Sequence, residues 1–191
     1  METIGLTLTA LAILGGALGT SRTQDARSSW NPAQAELRPS PEMQRLLKTF
    51  LGTWDVVETF EVSESRPGQS RKGTARFRAG PGFSLIEDYR SNGSAGELRF
   101  LAVLWWDAES HAYRLFTCAN NEGCRVRGTA RWEGNTLVNT WEEEDQGKRV
   151  AYRDSFMDLS LSSLTLLSEG RTSGTTVWHV TTKYTRHAGM K

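Results

Sequence analysis

Between residues 52 and 185 the chain repeats one unit about ten times: a short run with apolar or aromatic residues at every second position, then a turn carrying glycine or asparagine. Strand side chains alternate between faces, so each run presents one apolar and one polar side. Such runs joined by tight turns make an antiparallel meander, and one this long removes its two edges by closing on itself. The predicted fold class is therefore all-β, a ten-stranded antiparallel up-and-down β-barrel. Strands are expected over 53–61, 71–79, 83–91, 96–106, 111–118, 124–132, 135–143, 149–157, 162–168 and 175–185. The turns between them carry the chemistry that hairpins need, among them Pro81-Gly82, Asn92-Gly93, Gly134-Asn135 and Gln146-Gly147.

The phase within each run assigns the inward face. Trp54, Val56, Glu58 and Phe60 share one side, opposite Asp55, Thr59 and Glu61. Phe83, Leu85, Glu87 and Tyr89 form a second inward set, Leu137, Asn139 and Trp141 a third, and Tyr152, Asp154 and Phe156 a fourth. In the sixth run Ala130 and Trp132 face in, which puts Arg127, Thr129 and Arg131 outside. In the last run Trp178, Val180, Thr182 and Tyr184 are the more apolar phase, so His179 points outward.

Polar residues intrude on this inward phase. Burying a lone carboxylate costs several kcal/mol, so such groups need partners, a proton or water. Pairing with strand-end arginines would satisfy them. A cavity holding water or a small molecule would satisfy them too, with aromatic walls from Trp54, Trp141, Phe156 and Trp178. The candidate ligand-binding residues are Trp54, Glu58, Glu87, Tyr89, Asn139, Trp141, Tyr152 and Asp154. No spacing among them marks an acid–base pair, and no catalytic residue or metal ligand is assigned.

The segment ahead of the barrel divides into three. Residues 1–19 resemble an export signal: Ile4 to Leu18 is uncharged and apolar or small, and Ala17-Leu18-Gly19 suits a cut before Thr20. As a helix this stretch reaches about 22 Å, short of a bilayer's roughly 30 Å core. Its start, Met1-Glu2-Thr3, lacks the usual basic residue, which leaves retention as a membrane anchor the alternative to cleavage. Residues 20–39 are polar and aperiodic, a flexible linker. Ser40-Pro41-Glu42 then opens a helix with apolar Met43, Leu46, Leu47 and Phe50 on one face. Too short to stand alone, that helix must dock, and a mouth of the barrel is the place for it. The barrel domain is taken as 40–187.

Cys118 and Cys124 flank a turn-rich loop, where facing hairpin positions bring Cα atoms to about 5 Å, within disulfide reach. An oxidising, periplasmic or secreted location fits both that pair and the leader, without stable membrane insertion once the leader is cut. Net charge is +1 and no basic face is concentrated, so nucleic acid is not an expected partner.

Leu51-Gly52-Thr53-Trp54 at the first strand resembles the glycine-x-tryptophan opening of lipocalin-like (calycin) barrels. With Phe83–Tyr89, Leu104-Trp105-Trp106-Asp107 and the closing Tyr184-Thr185-Arg186, the chain resembles a family of small bacterial lipocalin-like barrels of unknown function. That resemblance spans about residues 42–186; it implies ten strands and no settled activity. A more distant likeness is to the nitrobindins, ten-stranded barrels that bind haem through a histidine of the last strand, for which only His179 could serve. The expectation is an exported barrel that binds a small apolar or amphipathic molecule without a cofactor. A haem-binding barrel and an interaction module with a filled core are the alternatives.

Overall fold

The computed structural model describes residues 38–61, 68–145 and 147–188. The expected leader, 1–19, and the linker up to residue 37 lie outside the described residues. One short helix, α1 (Pro41–Phe50), precedes ten strands: β1 (Gly52–Glu61), β2 (Gln69–Ala79), β3 (Leu85–Gly93), β4 (Leu98–Asp107), β5 (Ala112–Ala119), β6 (Gly123–Glu133), β7 (Thr136–Asp145), β8 (Lys148–Met157), β9 (Ser163–Thr172) and β10 (Thr175–Arg186). Each strand pairs antiparallel with the next, and β1 pairs with β10 to close the barrel. No edge strand remains to be protected.

The expected alternation holds through most of the wall. Along β1, Trp54, Val56 and Glu58 are buried while Thr53, Asp55 and Val57 are exposed. Along β3, Leu85, Glu87 and Tyr89 are buried. Phe83 is the exception: it belongs to a single 3-10 turn, Pro81–Phe83, with φ of 62°, and so leaves the inward set of β3. Gly80 and Ser84 bracket that turn through a backbone hydrogen bond of 2.7 Å, and the strand begins only after it.

Helix α1 begins where the sequence placed it. Ser40 is the N-cap, its Oγ accepting from Met43 N at 3.3 Å, and Pro41 fills the first turn, where no amide hydrogen is needed. Met43, Leu46, Leu47 and Phe50 are buried. The helix packs beside β2, β3 and β4 at the end of the barrel where β1 starts. Hydrogen bonds pin it there. Trp54 Nε1 donates to Phe50 O at 2.8 Å, Tyr113 Oη to Glu42 O at 2.9 Å, and Arg45 Nη2 to Gly134 O at 2.7 Å. The Arg45 guanidinium also lies over the Trp132 ring at 3.8 Å.

The same end is where the chain closes on itself. Arg186, at the end of β10, stacks over Trp54 at 4.0 Å and donates to Leu51 O and Leu161 O. Trp54 is fully buried beneath it, so helix, first strand and last strand share one plug. At the opposite end, Cys118 and Cys124 face each other across the β5–β6 hairpin and are disulfide-bonded, with Cα atoms 4.0 Å apart. Among the described residues no helix is long and apolar enough to cross a membrane.

Candidate ligand-binding site

The interior is not solid. A cavity of about 800 Å³ runs from Phe50 on α1 to the rim formed by Glu61, Gln69, Asn121, Glu122 and His179. Counting along the strands from the plugged end gives it layers. The floor is aromatic: Phe50 meets Phe77 at 5.5 Å and Phe156 edge-on at 5.2 Å, and Tyr184 closes on both. Next comes a polar belt of Glu87, Asn139, Asp154, Ser168 and Thr182. Above it stand stacked aromatics, and at the rim, charges.

The acids of the interior are not equivalent. Glu58 is fully partnered from β2 and β3. It accepts from Tyr89 Oη and, at 2.9 Å, from Ser91 Oγ, and Arg71 Nε lies 3.0 Å from its other oxygen. The Arg71 N–H is not aimed along that line, so the contact is one of charge rather than a directed hydrogen bond. Burial and the nearby Glu58 charge push the Tyr89 phenol far above its usual range, so it stays a donor.

Glu87 has far less. Its one side-chain partner is Tyr184 Oη at a long 3.5 Å, and no salt bridge reaches it within the described residues. Burial, only partly offset by that hydroxyl, raises its pKa to about 8, with the Asp154 charge adding to the rise. The shift favours the neutral, protonated form of Glu87. Asp154 sits between Asn139 and Ser168 on the adjoining strands. Burial lifts it to about 6, against the pull of the Ser168 hydroxyl, the Arg127 charge and the Asn139 amide. Asn139 is 3% exposed, yet among the described residues neither of its amide atoms completes a hydrogen bond of ordinary geometry, and the buried Trp141 Nε1 has no partner there either. Orphaned polar atoms of this kind carry a desolvation cost of about 1–3 kcal/mol each.

The upper wall is a run of rings across neighbouring strands. Trp141 and Tyr152 stack with centroids 5.0 Å apart and planes 5° from parallel, and Trp178 meets Tyr152 at 5.9 Å. These residues follow one another in register, Trp141 opposite Tyr152, Tyr152 opposite Gly170, Gly170 opposite Trp178. Gly170 makes the sequence of rings possible, since a Cβ there would lie 2.4 Å from the Trp178 indole. On β3 and β4, Tyr89 and Phe100 form a second stack at 4.5 Å.

Seven of the eight expected site residues line the cavity: Glu58, Glu87, Tyr89, Asn139, Trp141, Tyr152 and Asp154. Trp54 does not; it is spent on the plug below the floor. Arg127, expected outside, lies inside. In β6 three residues span the distance that two cover in β5, so the strand carries one extra residue between Val126 and Thr129. The bulge turns Arg127 inward, over the Trp141 ring at 5.2 Å. Gly128 permits it, with φ of 44° and a Cβ position only 1.8 Å from Thr140 O. A glycine in mid-strand is the signal that could have found it. Arg127 then pairs with Glu143 at 3.0 Å and with Glu122 at the rim.

His179 lies opposite Glu61 at the rim, its Nε2 2.8 Å from Glu61 Oε2. In this arrangement Nε2 is engaged by Glu61 rather than directed at a haem iron. His187 is engaged outside by Asp55 at 2.9 Å. Among the described residues no group of histidine, cysteine and acidic side chains is disposed to hold a metal ion.

The chain matches no protein-family model and no curated protein. The solved structures that resemble it include three designed barrels. A redesigned β barrel, mFAP0, bound to DFHBI is 14% identical over 71% of this chain and 97% of its own, with a TM-score of 0.41. A de novo designed fluorescence-activating β barrel is 13% identical over 73% of this chain and 94% of its own, with a TM-score of 0.40. The structure of EF1p2_mFAP2b bound to DFHBI is 14% identical over 76% and 99%, with a TM-score of 0.43. Scores this low carry no weight for function. The architecture stands on the strand pairing described above.

Proposed function

We propose that this barrel binds one small, largely apolar or amphipathic molecule in its interior. The observation that carries the reading is the combination of a cavity of about 800 Å³, stacked aromatic walls and buried polar atoms with no partner among the described residues. A filled core would need neither the room nor the orphaned Asn139 amide and Trp141 indole nitrogen. A ligand presenting polar atoms to those groups would remove their desolvation cost while its apolar body covers the rings. The hairpin disulfide supports an exported setting for this binding, since such bonds persist where the surroundings are oxidising.

Denaturing the protein freshly purified from its native host and extracting it for mass spectrometry tests the proposal. The expected result is a stoichiometric small molecule that is absent from Asn139→Leu/Trp141→Leu protein. Native protein that carries nothing, and whose melting temperature no apolar compound in a broad library raises, counts against it.

A further inference from the structure

We infer that the ligand is an organic cation: an aromatic or largely apolar molecule bearing a basic nitrogen, which is seated against Glu87 and Asp154. This deepens the binding reading above and rests on it. The interior holds two buried acids, Glu58 and Glu87, and the half-buried Asp154, and among the described residues only Glu58 has a cation of its own, Arg71. Arg127, the guanidinium whose charge reaches Asp154, is committed to Glu143 at 3.0 Å and to Glu122. Glu87 and Asp154 therefore stand in the polar belt with hydroxyls and an amide around them and no salt bridge within the described residues.

The surroundings suit a positive charge in other ways. Rings lie below the belt, in Phe156 and Tyr184, and above it, in Trp141 and Tyr152. Aromatic faces attract cations, most strongly when water is excluded. Arg127 over Trp141 shows one such face already holding a guanidinium. The Trp141 N–H adds a buried donor with no partner among the described residues, so the cation's carrier also presents a hydrogen-bond acceptor. Among the described residues an anionic ligand finds no such place, because the two guanidiniums lining the cavity there, Arg71 and Arg127, are already paired.

An ammonium group arriving beside Glu87 favours the carboxylate, and the displaced carboxyl proton passes to solvent. Binding of a cation near neutral pH is thus coupled to release of roughly one proton.

Three fluorescent probes that share one ring system separate the possibilities: pyrenemethylamine, pyrenemethanol and pyreneacetate. Titrated into the full chain at neutral pH, the amine should bind roughly tenfold or more tighter than the alcohol, and the acetate weakest. Calorimetry in buffers of different ionisation enthalpy should show a proton released with the amine and none with the alcohol. In Glu87→Gln/Asp154→Asn protein the amine should lose its advantage while the alcohol still binds. Should that variant not fold, the wild-type ranking and proton count decide alone. An alcohol or acetate that binds as tightly as the amine overturns the cation inference and leaves the cavity reading standing. Failure of all three to bind overturns the cavity reading, and this one with it.

Discussion

Glu87 shows how much one side chain's surroundings decide. Its carboxyl has the same alternation-derived position as that of Glu58, yet Glu58 has three partners and Glu87 one distant hydroxyl. An acid whose folded pKa is raised to about 8 from 4.5 holds its proton in the native state after the unfolded chain has lost it. The unfolded state then binds fewer protons, so stability falls as pH rises from about 4.5 to 8 and levels off beyond. Asp154, raised from 3.8 to about 6, adds to the same downward slope at its lower end. Denaturant melts across that window should show a loss of several kcal/mol, and Glu87→Gln should flatten most of the slope above pH 6. A slope that survives the substitution would place its origin elsewhere. The sequence could supply the phase of both acids but not this difference, because Ser91, Arg71 and Tyr184 reach them from other strands. Arg127 was missed for a local reason: one extra residue at Gly128 reverses the phase of everything before it in β6. Gly128→Val combines an unfavourable φ with a clash against Thr140 O, and should cost about 2–4 kcal/mol in the same melts.

The elements most legible in advance were those specified by neighbours in sequence. Helix α1 could be placed from Ser40, Pro41 and a four-residue apolar stripe, and the cysteine pair from its separation of six. What the helix packs under was not legible, since Tyr113 and Trp132 lie on strands far along the chain. Phe50 is the test of its role as a floor. It is 1% exposed and touches the rings of Phe77 and Phe156. Phe50→Ala should cost about 3–5 kcal/mol by cavity formation, measured as a shift of the denaturant midpoint. At the other end, the disulfide closes a loop of only a few residues, so its removal should cost less. The chain-entropy relation gives about 2 kcal/mol for Cys118→Ser/Cys124→Ser. Thermal unfolding with and without reductant should reproduce that modest difference in the natural chain and show none in the double variant. A larger loss would mean that the hairpin loses structure beyond its staple.

At the scale of the whole barrel, the proposed binding depends on the closed sheet leaving room above its plugged end. Period-2 patterning predicted the closure, because each strand's burial repeats every second residue wherever the sheet has one wet and one dry face. It could not predict the hollow. Whether ten inward phases fill or leave space depends on how small residues such as Ala102 and Gly170 fall in register against large ones, and register joins residues far apart in the chain. Gly170 offers a test of that dependence. Trp178 lies flat across β9 only because Gly170 has no side chain, and the indole is 39% exposed and able to swing clear. Gly170→Val should therefore displace Trp178 from Tyr152 with little change in melting temperature, since valine favours strands. The upper wall would lose its third ring, and affinity for a flat neutral probe such as pyrenemethanol should fall roughly two- to tenfold. A fluorescence titration beside a thermal melt reads both quantities. Equal affinity in a variant that melts like the natural protein would remove Trp178 from the binding wall and confine the ligand to the belt around Glu87 and Asp154.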